Sequence, residues 1–328
     1  MKKNITIAAI GVVVILYASL ATADVVSDTL SGQELLFKRD YPAAIGLFQE
    51  IEKKYPESPA GAFGQLAAYQ IWMYENQDFR FLKEYNSAED RFSRVAEKVL
   101  NGKTSPFDFF VTGAGYGMRG FYYARANKWF RGLGSAVRAV QILKRAKFEY
   151  PDFADPNIGI GMYNYWRSVF TKSISFLPFF ADHRAEGIAQ VKDVVAHGLY
   201  ASQLAEANLA FIYGQEDNYR SARPIIDKLL AKYPNNIVLL KYSARLYGWM
   251  KEYDKSVAEF GKILKIDPAV TKTYFYMGVA LMKKPGGTAE SIACFEKYLT
   301  TNPEKNWAEM AKRHMETLKQ RQKEVALN

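Results

Sequence analysis

The sequence predicts an all-α protein, an α-solenoid of about seven helical hairpins with a C-terminal capping helix. Three observations carry that expectation. A short pattern recurs: a small residue, a bulky apolar residue four positions later, and Pro eight positions after that. No stretch alternates apolar and polar residues as a half-buried strand would. The last stretch, Glu304 to about Glu324, carries Lys312, Arg313, Lys319, Arg321 and Lys323, the polar surface that the open end of a stack needs.

The chain has 328 residues and is 49% hydrophobic, enough for a large core. Its first 23 residues read as a secretory leader rather than as part of the fold. Lys2 and Lys3 precede the apolar run Ile5 to Leu20, and Ala21-Thr22-Ala23 forms the cleavage site. The run is short for a spanning helix, which needs ~20 apolar residues. The expectation is export to the periplasm or cell envelope with cleavage after Ala23, and an uncleaved N-terminal anchor is the alternative. Cys294, the only Cys, excludes an internal disulfide and reads as a small buried hydrophobe. The formal charge is +10, and loss of the leader's two lysines leaves +8. A basic exported protein tends towards acidic partners.

The hairpins follow in order from the repeated pattern. "DYPAAIGLFQEIEKKYP" ends at Pro56, "NYRSARPIIDKLLAKYP" at Pro234, "EYDKSVAEFGKILKIDP" at Pro268 and "TAESIACFEKYLTTNP" at Pro303. Their triples are Ala44, Phe48, Pro56; Ala222, Ile226, Pro234; Ser256, Phe260, Pro268; and Ser291, Phe295, Pro303. A further copy is Ala139, Leu143, Pro151. The small residue lets two helices approach, the bulky one fills the gap between hairpins, and Pro ends the helix. Second helices are expected to begin near Tyr41, Asn86, Gly132, Asp182, Asn218, Glu252 and Thr288. The repeats are irregular over 24–200 and regular over 201–303, and residues 304–328 form the cap.

This pattern resembles the tetratricopeptide (TPR) repeat, with its 34-residue period and its order of L-G-x-x-Y, A-x-x-x-F and P. Of the Pro residues that close this pattern, Pro234, Pro268 and Pro303 lie 34 and 35 residues apart. A second segment, Asp155 to Ile188, places Gly159, Gly161, Tyr163 and Tyr165 in one helix and Asp182-His183-Arg184 at the start of the next, with Asp182 as N-cap. It resembles an exported bacterial branch of TPR proteins with a G-x-G-x-Y helix and a D-x-R-x-x-G helix start.

The stretch "GAGYGMRGFYYARANKWFRG", residues 113–132, contains Gly115-x-Gly117-x-x-Gly120, a formal dinucleotide-binding fingerprint. That fold also needs an acid about 20 residues on, for the ribose. No Asp or Glu occurs from Phe109 to Phe148, while Arg119, Arg125, Lys128, Arg131, Arg138, Lys144, Arg145 and Lys147 do. Gly113, Gly117 and Gly120 are instead expected to line one helix face at a close crossing, so that a large side chain at Gly117 would overpack it. The chain shows no metal-ligand spacing, no activated nucleophile and no Walker loop. No catalytic residue, cofactor or metal is therefore expected, and no nucleic-acid recognition motif is present.

The resemblance implies ligand binding on the first helices of the hairpins. On the repeat register this surface includes Lys241, Arg245, Lys272 and Phe275, with Asn208 one hairpin earlier. Cations at i, i+4 beside an aromatic suit a carboxylate or an acidic peptide. The expected function is a non-catalytic exported scaffold that binds a protein or peptide segment. The alternative is a membrane-peripheral module that sets its basic hairpins and the apolar loop 173–181 on anionic lipid. Burial is the expected state of that loop, as it is of Tyr163, Tyr165, Trp166 and Phe170.

Overall fold

The computed structural model describes residues 24–102, 104–171 and 181–327. The leader and nearly all of loop 173–181 lie outside the described residues. Among the described residues there are fifteen α-helices and no strand. They pair as α1 (24–37) with α2 (Tyr41–Lys54), α3 (Ala60–Asn76) with α4 (Leu82–Asn101), α5 (Pro106–Arg125) with α6 (Trp129–Glu149), and α7 (Pro156–Phe170) with α8 (Arg184–His197). The series continues with α9 (Ser202–Gln215) and α10 (Tyr219–Lys232), α11 (Ile237–Trp249) and α12 (Tyr253–Ile266), and α13 (Lys272–Lys283) and α14 (Thr288–Leu299); α15 (Lys305–Leu327) stands last. Every expected second helix begins within four residues of the position read from the sequence.

The repeated triple is realised as packing. Ala44, Ala222, Ser256 and Ser291 are buried, and so are their partners Phe48, Ile226, Phe260 and Phe295. In the first and last of these the bulky residue sits over a glycine of a neighbouring helix. A Cβ on Gly32 would come within 2.5 Å of the Phe48 ring, and one on Gly278 within 2.8 Å of the Phe295 ring. Ser291 adds a hydrogen bond, donating to the Gly278 carbonyl at 2.8 Å. Pro follows two residues after α2, α6, α10 and α12, where it blocks further helix.

Five of the hairpin turns share one construction. Arg39, Gln77, Asn127, Asp217 and Lys251 have φ between 54° and 68°. The next residue in each turn donates its backbone N–H back into the helix, Asp40 to Leu35, Asp78 to Met73, Lys128 to Tyr123, Asn218 to Tyr213 and Glu252 to Tyr247, at 2.8–3.0 Å. This is the Schellman closure, which satisfies carbonyls left open at a helix end. Asp40 and Asn218 then cap the following helix, accepting from Ala43 and Ser221.

The glycine-rich stretch lies in α5, so the fingerprint is helical. Gly113 receives Leu143, whose Cδ2 would lie 2.5 Å from an added Cβ, and Gly115 receives the Phe92 ring. Gly120 faces Gly132 of α6, where a Cβ on either would meet the other's carbonyl at 3.1 Å. Gly117 departs from the expectation, because a Cβ there would meet only the Ala139 Cβ, at 3.9 Å. The tightest such crossing is in the next hairpin: a Cβ on Gly161 would lie 2.6 Å from the Gly187 carbonyl, and one on Gly187 2.5 Å from that of Gly161. The G-x-G-x-Y and D-x-R-x-x-G segments thus meet backbone to backbone.

The chain divides into two compact units. One comprises the described residues up to Ile71 with Phe81–Leu209, and the other Trp72–Arg80 with the residues from Ala210 onward. In the first, Phe92, Phe109, Tyr116, Ile142 and Ala146 form a core cluster. In the second, one cluster gathers Ile237, Leu240, Phe260 and Ile263, and another Phe275, Phe295, Tyr298 and Leu318. Among the described residues no helix is long and apolar enough to cross a membrane.

Candidate binding surfaces

Four of the five residues singled out in the sequence fall in the second unit. Lys241, on α11, is buried, and its ammonium donates to the Glu75 carbonyl. Lys272, at the start of α13, donates to the Gln77 carbonyl at 2.9 Å and lies over the Trp307 ring at 4.6 Å. Tyr276 completes the set by donating its hydroxyl to Gln77 Oε1 at 2.8 Å. Together they grip the end of α3 and the turn after it. The last turn of α3 has no cation of its own. Lys241 and Lys272 supply the positive charge that a helix C-terminus favours. Sequence reasoning missed this because their partners lie 166 and 195 residues earlier in the chain.

Phe275 is buried as well. It packs edge-on against Phe295, Tyr298 and Trp307 with ring centroids 5.1–5.6 Å apart, so it builds the core rather than facing a ligand. Arg245 is the exposed member of the group, its guanidinium 5.5 Å from the Trp249 ring. Asn208 belongs to the first unit and donates to the Leu204 carbonyl of its own helix at 2.8 Å.

A second surface belongs to α4–α6. A cleft of about 260 Å³ is lined by Tyr85, Glu89, Arg119, Tyr123, Lys128 and Arg131, among others. Arg119 Nη1 donates to Glu89 at 2.8 Å, and its guanidinium lies 4.2 Å from the Tyr116 ring. Burial alone would ease Arg119's proton off, but the Glu89 hydrogen bond and charge reverse that and hold it on more tightly. Tyr85 is buried with no hydrogen-bond partner for its hydroxyl, and burial pushes that phenol's pKa far up. The hydroxyl therefore stays protonated. Beside the cleft the first two turns of α6 leave Trp129, Phe130 and Leu133 exposed.

The remaining marked residues serve the fold locally. Asp155, fully buried, accepts from the backbone N–H groups of Leu199, Tyr200 and Ala201 at 2.9, 2.8 and 2.6 Å, fixing the α8–α9 loop. Asp182 is not the N-cap of α8; that position is His183. Asp182 instead accepts from the Arg184 backbone at 2.9 Å and pairs with its guanidinium, which together hold the Asp182 carboxyl below its ordinary range. His183 and His197 each pair with a carboxylate of the same helix region, Glu186 and Asp193. Tyr165 is buried as expected, whereas Phe170 is exposed and Cys294 is half-buried rather than enclosed. Among the described residues no group of His, Cys, Asp or Glu is arranged to hold a metal.

Paired helices closed by Schellman turns and stacked through small-to-bulky contacts define an all-α helical-repeat fold. No family model matches the chain, and no curated protein does. Solved structures do resemble it. Human IFIT1, seen as a dimer with PPP-AAAA, aligns with a TM-score of 0.50 and 18% identity over 85% of this chain and 69% of that one. TTC0263, a thermophilic TPR protein of Thermus thermophilus, gives 0.41 and 18% over 68% of this chain and 97% of that one. PilW, a widely conserved type IV pilus biogenesis factor, gives 0.39 and 14% over 86% and 96%. What IFIT1 shares with the chain is fold.

Proposed function

We propose that the chain is a non-catalytic helical-repeat scaffold that binds a protein or peptide segment in the cell envelope. The observation that carries this reading is the grip on residues 75–77. There the first helices of the second unit's repeats hold polypeptide through two backbone carbonyls and a side-chain amide. Surfaces of this composition suit peptide backbone and helix ends. Lys241, Lys272 and Phe275 build that surface from inside, and Arg245 is the cation it leaves open to a partner. The envelope location rests on the leader-like Lys2 to Ala23. IFIT1's ligand stays with IFIT1, since likeness at 18% identity speaks to fold.

A pull-down from envelope extract, with wild type and Arg245→Glu as paired baits, tests this reading. The expected result is one discrete protein captured by wild type and weakened by the charge reversal. Capture of no protein, or equal capture by both baits, contradicts it.

A further inference from the structure

Among the described residues the two most exposed large apolar side chains are Phe130, 93% exposed, and Phe148, 85%. Both lie on α6. Eighteen residues separate them, five helical turns, so they share one face roughly 27 Å apart along the axis. Leu133 stands on the same side and Trp129 in the first turn, both more than half exposed. These are not core residues out of place, because α6 already buries Gly132, Ser135, Ala139, Ile142, Leu143 and Ala146 on its inner side.

Positive charge stands beside and along that face. Lys128, Arg131, Arg138 and Lys144 are exposed and have no carboxylate partner among the described residues, whereas Arg119 and Arg145 are paired with Glu89 and Glu149. No acid occurs between Phe109 and Phe148 to offset them.

We propose that α6 docks on an anionic lipid bilayer, with Trp129, Phe130, Leu133 and Phe148 entering the headgroup–acyl boundary and Lys128, Arg131, Arg138 and Lys144 at the lipid phosphates. The pattern favours a plane over a protein pocket. Protein hot spots cluster their apolar anchors centrally with charge at the rim. Here the apolar side chains stand at the two ends of α6, Trp129, Phe130 and Leu133 at its start and Phe148 at its end, with Arg138 and Lys144 between them, a spread that suits a helix lying in a membrane interface. Charge and apolar burial then act together, which stable surface attachment requires. At the helix start Lys128 and Arg131 also line the α4–α6 cleft, so a headgroup phosphate there meets both cations.

Co-sedimentation of the full chain with vesicles tests the proposal. Vesicles of phosphatidylglycerol and phosphatidylcholine should pellet the protein, phosphatidylcholine alone should not, and added salt should release it, because screening shortens the attraction. Phe130→Ser with Leu133→Ser and Phe148→Ser should weaken binding by at least about tenfold. Lys128→Gln with Arg131→Gln, Arg138→Gln and Lys144→Gln should weaken it by about a thousandfold. All seven side chains are exposed, so an unchanged circular dichroism spectrum is expected in both variants. A wild type that ignores anionic vesicles, or that binds zwitterionic ones equally, overturns the proposal. So do variants that pellet like wild type, the result expected if the leader carried the binding.

Discussion

Glycine positions in α5 and α7 separate residues that permit contact from residues that are merely small. Gly161 and Gly187 each stand where a methyl group would meet the other's carbonyl at less than van der Waals separation. Gly161→Ala should therefore destabilise the chain by ~1–3 kcal/mol. Gly117 has room, so Gly117→Ala should be neutral or stabilise α5 by up to ~1 kcal/mol through helix propensity. Thermal melts of the two variants check this, and a matched fall in both would refute the distinction. The sequence showed that these glycines line helices. It did not show which glycine bears the contact, because that depends on the crossing point of two helices rather than on spacing within one.

At the scale of the element, hairpins were legible because their signals are local. Small residue, bulky residue and Pro lie within twelve positions of one another, and each acts on its own turn or its immediate neighbour. The turns were less legible, since four of the five Schellman positions with positive φ hold Arg, Gln, Asp or Lys rather than Gly or Asn. Such residues are strained in the left-handed region. Lys251→Gly should accordingly stabilise the chain by about 0.5–1 kcal/mol, the relief of strain exceeding the entropy cost of glycine. Chemical denaturation measures it. A lower midpoint would mean that the Lys251 side chain supports the turn in another way.

For the whole molecule, the repeat architecture was readable and the role of its candidate site was not. Lys241 and Lys272 were placed correctly on first helices, but what they touch comes from a segment far away in sequence. Spacing reports which face a cation occupies. It cannot report that a helix end from residues 72–80 already lies there. Asp155 is a similar case: its three N–H donors come from residues 199–201, and its own neighbourhood reads only as a helix start. Arg245, by contrast, is solvent-facing, as a surface cation on that register should be.

The central claim is that the repeat surface recognises polypeptide by holding the end of α3. Hydrogen exchange over residues 72–80 tests it most directly, with Lys241→Met plus Lys272→Met beside Arg245→Ala. The Gln77 and Asp78 amides close α3 on the carbonyls of Tyr74 and Met73, so they report whether that turn is held. A hydrogen bond to a charged donor contributes ~1.5–3 kcal/mol. The lysine pair's loss should therefore speed exchange at these amides by about tenfold or more, while Arg245→Ala leaves them as in wild type. Equal protection in both variants would contradict the account.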